Sequence, residues 1–201
     1  PVVVAGAGLA GLSCAYHLPS PSVVIDRESS PGGTARSVSV GGFTFDFTGH
    51  LLHLHHPYTR ALVRRLLAGN WVECERQAWI HSHDVTTPYP FQANLHGLPA
   101  QVVRECVEGV REARQRFGDK PLDGGGTLHF KEWCQRLFGK GISRHFMIPY
   151  NEKLWGVPAT SMSPEWCGQF VPVPTLAEVE AGAKRVHAKR FGYNTTFLYP
   201  R

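Results

Sequence analysis

"GAGLAGL", residues 6–12, follows the apolar run Val2–Ala5 and carries glycines at positions 6, 8 and 11. A β-branched run stopped by glycine reads as a buried strand, and residues 10–18 (AGLSCAYHL) read as a helix that ends before Pro19 and Pro21. Between a strand and a helix the three glycines have separate tasks. Gly6 permits the tight turn, Gly8 lets the backbone approach a pyrophosphate, and Gly11 lets the helix pack close to the strand. Leu9 and Ala10, candidate cofactor-binding residues, stand where the turn gives way to that helix, whose N-terminal N–H groups are free to face an anion. The pattern is weak alone; its setting strengthens it. Val23-Val24-Ile25 reads as a second buried strand ending at Asp26, twenty residues after Gly6. A carboxylate there accepts hydrogen bonds from ribose hydroxyls, which completes a dinucleotide-binding βαβ unit.

Outward from this unit, Ser37–Val40 and Phe43–Phe47 flank Gly41-Gly42 and read as a hairpin. Pro57–Leu67 looks helical, with Pro57 in the first turn, and residues 71–83 alternate as strands do. A longer helix begins near Pro99, with Val102, Cys106, Val110, Ala113 and Phe117 on one face. "GDKPLDGGGT" (118–127) reads as a linker, and Phe130, Trp133, Cys134, Leu137 and Phe138 form a second apolar helical stripe. These readings divide the chain into a dinucleotide-binding part with its hairpin (1–85), a mainly helical substrate-binding part (86–190) and the start of a further strand (191–201).

Composition narrows the function classes. The 201 residues are 42% hydrophobic, enough for a sizeable core, and no apolar run is long enough to span a bilayer. The net charge of +5 does not indicate nucleic acid. Arg104, Arg111, Arg114 and Arg116 interleave with Glu105, Glu108 and Glu112, the pattern of a solvated helix face. Cys14, Cys74, Cys106, Cys134 and Cys167 are odd in number, widely spaced and without a C-x-x-C, which fits reduced thiols in a cytoplasmic protein. His50, His53, His55 and His56 cluster, but no carboxylate or cysteine completes a ligand set with usual spacing, so no metal is expected. Nothing in the sequence sets an oligomeric state.

The segment after Asp26 separates one dinucleotide from another. In "DRESSPGGTARS" (26–37) a second glycine pair comes directly after the ribose carboxylate. The stretch resembles FAD-binding proteins of the amine oxidase and protoporphyrinogen oxidase group, where an acidic residue leads into a G-G-x-x-R/S segment. The resemblance implies that Arg27, Gly33, Thr34, Ala35 and Arg36 line the extended cofactor. It also implies that "FDFTGH" (45–50) brings Gly49 and His50 toward the flavin ring, His50 being the candidate catalytic residue.

"FTGHLLHLHHPY" (47–58), "TPYPFQANLHGLP" (87–99), "HFMIPYNEKLWGVPATSM" (145–162) and "GYNTTFLYP" (192–200) together resemble UDP-galactopyranose mutase, the eukaryotic type more than the short bacterial one. The likeness runs from Val3 to about Pro200. It implies an α/β fold: a Rossmann-like FAD-binding βαβ unit with an inserted, mainly helical substrate region. It also implies a UDP-sugar as small-molecule substrate and isomerisation that needs reduced FAD while remaining redox-neutral overall. Carried over residue by residue, Tyr89, Phe91 and Gln92 line the uridine end, Asn151 and Trp155 contact the nucleotide, and Asn194 lies near the diphosphate. Each also has a plain reading. Phe91 and Trp155 can be packing residues, and Asn194 can be a turn residue.

Three departures count. Where the family places an aromatic residue beside the flavin, this chain has His53. Ungapped alignment from "PYNEKLWGVP" puts Phe170 where the family has a mobile-loop arginine, and an apolar ring offers phosphate no donors. The family also continues into another glycine-rich segment beyond Arg201. The chain is therefore expected to be incomplete at the C-terminus, a fragment or truncated homologue with exposed apolar surface. Two other readings stand beside the mutase: an amine-oxidase-type flavin dehydrogenase or desaturase, and a non-catalytic flavin- or nucleotide-binding fragment.

Overall fold

The first strand, β1 (Val2–Ala5), runs parallel to β2 (Ser22–Ile25), with Val3 opposite Val23 and Ala5 opposite Ile25. Helix α1 (Leu9–His17) joins them. The computed structural model describes residues 1–49, 51–52, 54–118, 128–168, 170–186, 191–192 and 195–200. The expected linker therefore lies outside the described residues except for Gly118.

The chain forms two compact units, residues 1–74 with 197–201, and residues 75–196. This division assigns residues 75–85 to the helical unit, whereas the sequence alone suggests a boundary near 85.

In the first unit the hairpin is β3 (Ser37–Val40) and β4 (Phe43–Asp46), closed by Gly41 and Gly42, both at positive φ. Helix α2 (Pro57–Leu67) follows, with proline in its first turn and Ala68 capping it in the left-handed region. Tyr58 and Arg65 of α2 hydrogen-bond His17 and Tyr16 of α1. Strand β5 (Trp71–Glu75) pairs with β8 (Thr196–Pro200). Tyr199 donates its hydroxyl to Asp46 at 2.6 Å.

The strands expected to be buried are not. Val3, Val23 and Ile25 are each more than half exposed, and within β1 and β2 only Val4 is buried. Among the described residues the sheet has two strands. A pair that narrow leaves faces and edges uncovered, so a β-branched sequence produces the strand without burying it.

The second unit holds the core. Hairpin β6 (Trp79–Ser82) and β7 (Val85–Pro88) precedes α3 (Ala100–Phe117) and α4 (Phe130–Ile142). A π-helical turn (Ser143–Met147) leads into α5 (Ile148–Trp155), and α6 (Leu176–Lys184) comes last. The expected faces are the buried ones: Val102, Cys106, Val110 and Ala113 from α3, and Phe130, Trp133, Cys134, Leu137 and Phe138 from α4. Phe117, read as part of that face, is 38% exposed.

Glycines bring α3 and α4 together backbone to backbone. A Cβ on Gly141 would lie 2.1 Å from the Glu105 carbonyl oxygen, and one on Gly139 2.0 Å from that of Gly109. Gly139 also breaks the helical path of α4, at φ 69°. Helix ends are satisfied locally. The His129 ring accepts the Glu132 N–H, and Thr175 and Glu178 form a reciprocal capping box at α6. Burial pushes the Cys106 and Cys167 thiols up to about 12, so they pack as small apolar groups. No helix among the described residues is long and apolar enough to cross a membrane.

Candidate functional site

In the first unit the dinucleotide turn has the geometry its glycines suggest. Gly6 sits at φ 102°, in the region that favours glycine. Gly11 is tight: a Cβ there would come within 1.9 Å of the Gly6 carbonyl oxygen and 3.4 Å of Val4. Gly8 caps α1 with no side chain over the helix end. Among the described residues only Gly33, at 3.9 Å, comes within 4 Å of a Cβ built on Gly8. The α1 N-terminus, with Leu9 and Ala10 in its first turn, is therefore open to an anion.

Gly32-Gly33 folds back onto this turn. The Gly32 N–H donates to the Ala7 carbonyl at 2.7 Å, and Gly8 and Gly33 form a parallel bridge. Both glycines of the pair have positive φ, and a Cβ on Gly33 would meet the Gly8 Cα at 3.1 Å. Two glycine-rich turns thus share one surface, and Gly33, at positive φ and tight against Gly8, is the member of the pair that excludes a side chain at the point of contact.

Asp26 ties the cradle together. Its carboxylate accepts the Ala7 N–H at 2.6 Å on one oxygen and the Glu28 N–H at 2.9 Å on the other. These bonds, first from Glu28 and then from Ala7, hold its pKa below the ordinary carboxylate value, so it stays ionised. Each oxygen keeps a lone pair for a hydroxyl donor. Asp26, Arg27, Gly6, Ala5 and Ile25 line an open hollow of about 530 Å³.

Arg36 braces the second turn. Its guanidinium donates to the Gly33 carbonyl at 3.0 Å and to Ser30 at 3.3 Å, and lies 5.2 Å from the centre of the Phe47 ring. Thr34 accepts the Thr48 hydroxyl on its carbonyl, and Ala35 donates to the Gly32 carbonyl. Among the described residues nothing lies within 4 Å of a Cβ built on Gly49. His50 and His53 lie outside the described residues.

The second unit contains a cavity of about 390 Å³. Of the sequence-predicted substrate residues, Tyr89, Gln92 and Asn151 line it, and so does Phe170. Phe91 and Trp155 do not. Phe91 is fully buried in the core, stacked on Phe146 at 4.8 Å. Trp155 is 54% exposed and meets the Trp166 ring edge-on. Asn194 lies outside the described residues.

Sequence reasoning missed Trp79, Phe146, Tyr150, Trp166 and Arg76, which also line the cavity. Phe146 and Tyr150 had a legible signal, being four residues apart in a stretch already singled out, and their rings stack at 5.1 Å. Arg76 had none. Its guanidinium lies 5.2 Å from the centre of the Tyr89 ring, a pairing across thirteen positions that only folding creates.

The two buried amides are fixed in orientation. The Gln92 side-chain nitrogen donates to the Pro172 carbonyl at 2.7 Å, and that of Asn151 to the Met147 carbonyl at 2.7 Å. A carbonyl cannot donate, so in each amide the nitrogen must face it.

Fold and cradle define the class: residues 4–66 match the family described as NAD(P)-binding Rossmann-like domain, here in an α/β chain that continues into a mainly helical unit. More particularly, the chain is similar along 99% of its length to UDP-galactopyranose mutase. It is 32% identical to the enzyme in a crystal structure of its reduced form, with a TM-score of 0.84, and covers 42% of that chain. A candidate protoporphyrinogen oxidase from Exiguobacterium sp. 255-15 is 19% identical, with 90% of this chain and 43% of that one covered and a TM-score of 0.49. Putrescine oxidase bound to putrescine is 18% identical, with 90% and 41% covered and a TM-score of 0.49. The chain spans less than half the length of each of these proteins.

Proposed function

We propose that the first unit binds FAD and that the cavity of the second unit receives the nucleoside end of a nucleotide sugar. Within the whole protein they would serve a flavin-dependent isomerisation of the kind UDP-galactopyranose mutase is named for. The observation that carries the reading is the contact of two glycine turns at Gly8 and Gly33 beside Asp26. One turn suffices for a pyrophosphate; the second extends the side-chain-free surface along a longer cofactor.

In this reading the N–H groups at the start of α1 meet the pyrophosphate and the free lone pairs of Asp26 take the ribose hydroxyls. Arg36 holds the second turn in place through the Gly33 carbonyl. Gly49 leaves the backbone bare next to His50. Bound FAD supplies the reactive ring that the chain's own side chains lack. In the cavity, Tyr89 offers a face for stacking a base, and Gln92 and Asn151 offer amides to its edge.

Equilibrium dialysis of the chain against FAD and against NAD tests the cofactor. FAD retained and NAD not retained is the expected result; tight NAD binding without FAD binding sinks it. For the reaction, the FAD-loaded chain is reduced with dithionite and given UDP-galactofuranose anaerobically. UDP-galactopyranose is the product expected of a mutase. Substrate-driven bleaching of oxidised flavin would instead identify a dehydrogenase, and flavin binding with neither outcome a binding module.

A further inference from the structure

The first unit is organised around a second carboxylate besides Asp26. At the end of β4, Asp46 accepts the Tyr199 hydroxyl of β8 on one oxygen at 2.6 Å. The other oxygen accepts the hydroxyl of Ser37, its partner across the β3–β4 pair. The bond to Asp46 holds the Tyr199 hydroxyl above the usual tyrosine pKa, so it keeps its proton and donates. One residue earlier in β8, the Leu198 N–H donates to the Leu52 carbonyl at 3.3 Å, in an antiparallel bridge. Two neighbouring residues of one strand therefore hold the chain at Asp46 and again at Leu52.

The backbone that leaves Asp46 runs beside the second glycine turn. Phe47 donates its N–H to the Arg36 carbonyl at 3.2 Å, and the Arg36 guanidinium lies over its ring. The Thr48 hydroxyl donates to the Thr34 carbonyl at 3.3 Å. The turn at residues 33–36 thus touches Gly8 through Gly33, and residues 47–48 through Thr34 and Arg36. A molecule that lies across Gly8 and Gly33 and extends past a pyrophosphate meets residues 47–49 next. The near end of that stretch is fixed at Asp46.

Resting on the FAD reading above, we propose that Tyr199 and Asp46 are positioning residues for the flavin half of the cofactor, acting through the backbone of residues 47–49. The ADP half is held separately, by the α1 N-terminus and by Asp26, whose carboxylate is set by the Ala7 and Glu28 N–H groups. With the Tyr199 hydroxyl in place, residues 47–49 are ordered before the cofactor arrives. Without it, the cost of ordering them falls on binding. That cost attaches to a ligand long enough to reach these residues and spares one that ends at the pyrophosphate and its sugar.

Tyr199→Phe removes the hydroxyl and keeps the ring and the strand. Titration of the parent chain and this variant with FAD and with ADP-ribose, by calorimetry, tests the proposal. ADP-ribose carries the ADP half and has no flavin. FAD is expected to bind the variant about tenfold more weakly than the parent, and ADP-ribose within about twofold. Equal weakening of both ligands would make Tyr199 a structural residue only and overturn the proposal, as would unchanged FAD affinity. Asp46→Asn introduced into Tyr199→Phe should add less than about twofold, since the two residues act as one pair; a full second loss would overturn the pairing. Hydrogen exchange of the ligand-free chains gives a readout without cofactor. The Phe47 amide should exchange at least about twofold faster in Tyr199→Phe, with the Ala7 and Glu28 amides unchanged. Unchanged exchange at Phe47 would overturn the link from Tyr199 to this backbone whatever the flavin does. A parent chain that binds ADP-ribose and not FAD would remove the FAD reading, and the inference with it.

Discussion

The two compact units use apolar residues in opposite ways. In the second, Phe91, Leu95, Cys106, Phe130, Cys134 and Ile142 are fully buried. In the first, Leu9 and Phe43 are 70% exposed, and Val4 and Ala7 are the buried hydrophobics among the described residues. One unit is held by side chains packed from α3, α4 and α6. The other is held by backbone hydrogen bonds, by glycines at positive φ and by a carboxylate that accepts two N–H groups. A binding turn can thus be specified in detail by its backbone while the sheet beneath it remains thinly covered. Shape at the cradle and stability of the core are separate properties, written in different residues.

The difference can be tested by substitution. Phe138→Ala should destabilise the second unit by about 3–5 kcal/mol, the usual loss for a buried aromatic ring, whereas Phe43→Ala should change stability by no more than about 0.5 kcal/mol. Urea unfolding followed by tryptophan fluorescence measures both. Similar effects from the two substitutions would erase the distinction between the units.

Gly141→Ala reaches the same core through the backbone. The added Cβ must displace the Glu105 carbonyl from 2.1 Å, so α3 and α4 have to separate. A loss of about 3 kcal/mol is expected, with lowered thermal midpoint as the readout. A neutral result would mean that the helices do not approach so closely.

Within the cradle, Asp26→Ala should weaken FAD binding by about tenfold or more while leaving the urea midpoint almost unmoved. Flavin fluorescence quenching gives the affinity. If affinity held while the fold remained intact by circular dichroism, Asp26 would be only the residue that ends β2.

The smallest effect concerns pH. Glu105 accepts hydrogen bonds from Gln101 at 2.8 Å and faces the His145 ring at 2.8 Å, and these hold its pKa below the ordinary value, the Gln101 bond foremost. A depressed carboxylate pKa contributes stability above the unfolded value and loses it as pH falls through the folded value. The stability difference between the parent chain and Glu105→Gln should therefore be present at neutral pH and shrink on acidification. A difference that grew as pH fell would show that another group controls this corner of the second unit.

Much of the architecture was legible because its signals are local. The spacing of Gly6, Gly8 and Gly11 fixes a turn whose steric demands fall within a few residues, and the apolar stripes of α3 and α4 follow a 3.6-residue period. The exposure of Val3, Val23 and Ile25 was not legible, since a β-branched run encodes extended backbone and says nothing about whether another layer covers it. The candidate site divides in the same way. Tyr89, Gln92, Asn151 and Phe170 stood out in the sequence, but Arg76 and Trp79 did not, because they reach the cavity from a hairpin and its approach that no short pattern ties to α5.

The sequence by itself determined the dinucleotide turn, the carboxylate after it and the helical faces that form the core, because each depends on backbone sterics or periodicity along a single element. Only the tertiary structure decided that Gly33 meets Gly8, that Phe91 belongs to the core and not to the cavity, and that Gln92 and Asn151 turn their nitrogens onto Pro172 and Met147. Those are contacts between distant segments or choices of side-chain direction, and their energies depend on what folding places opposite each group.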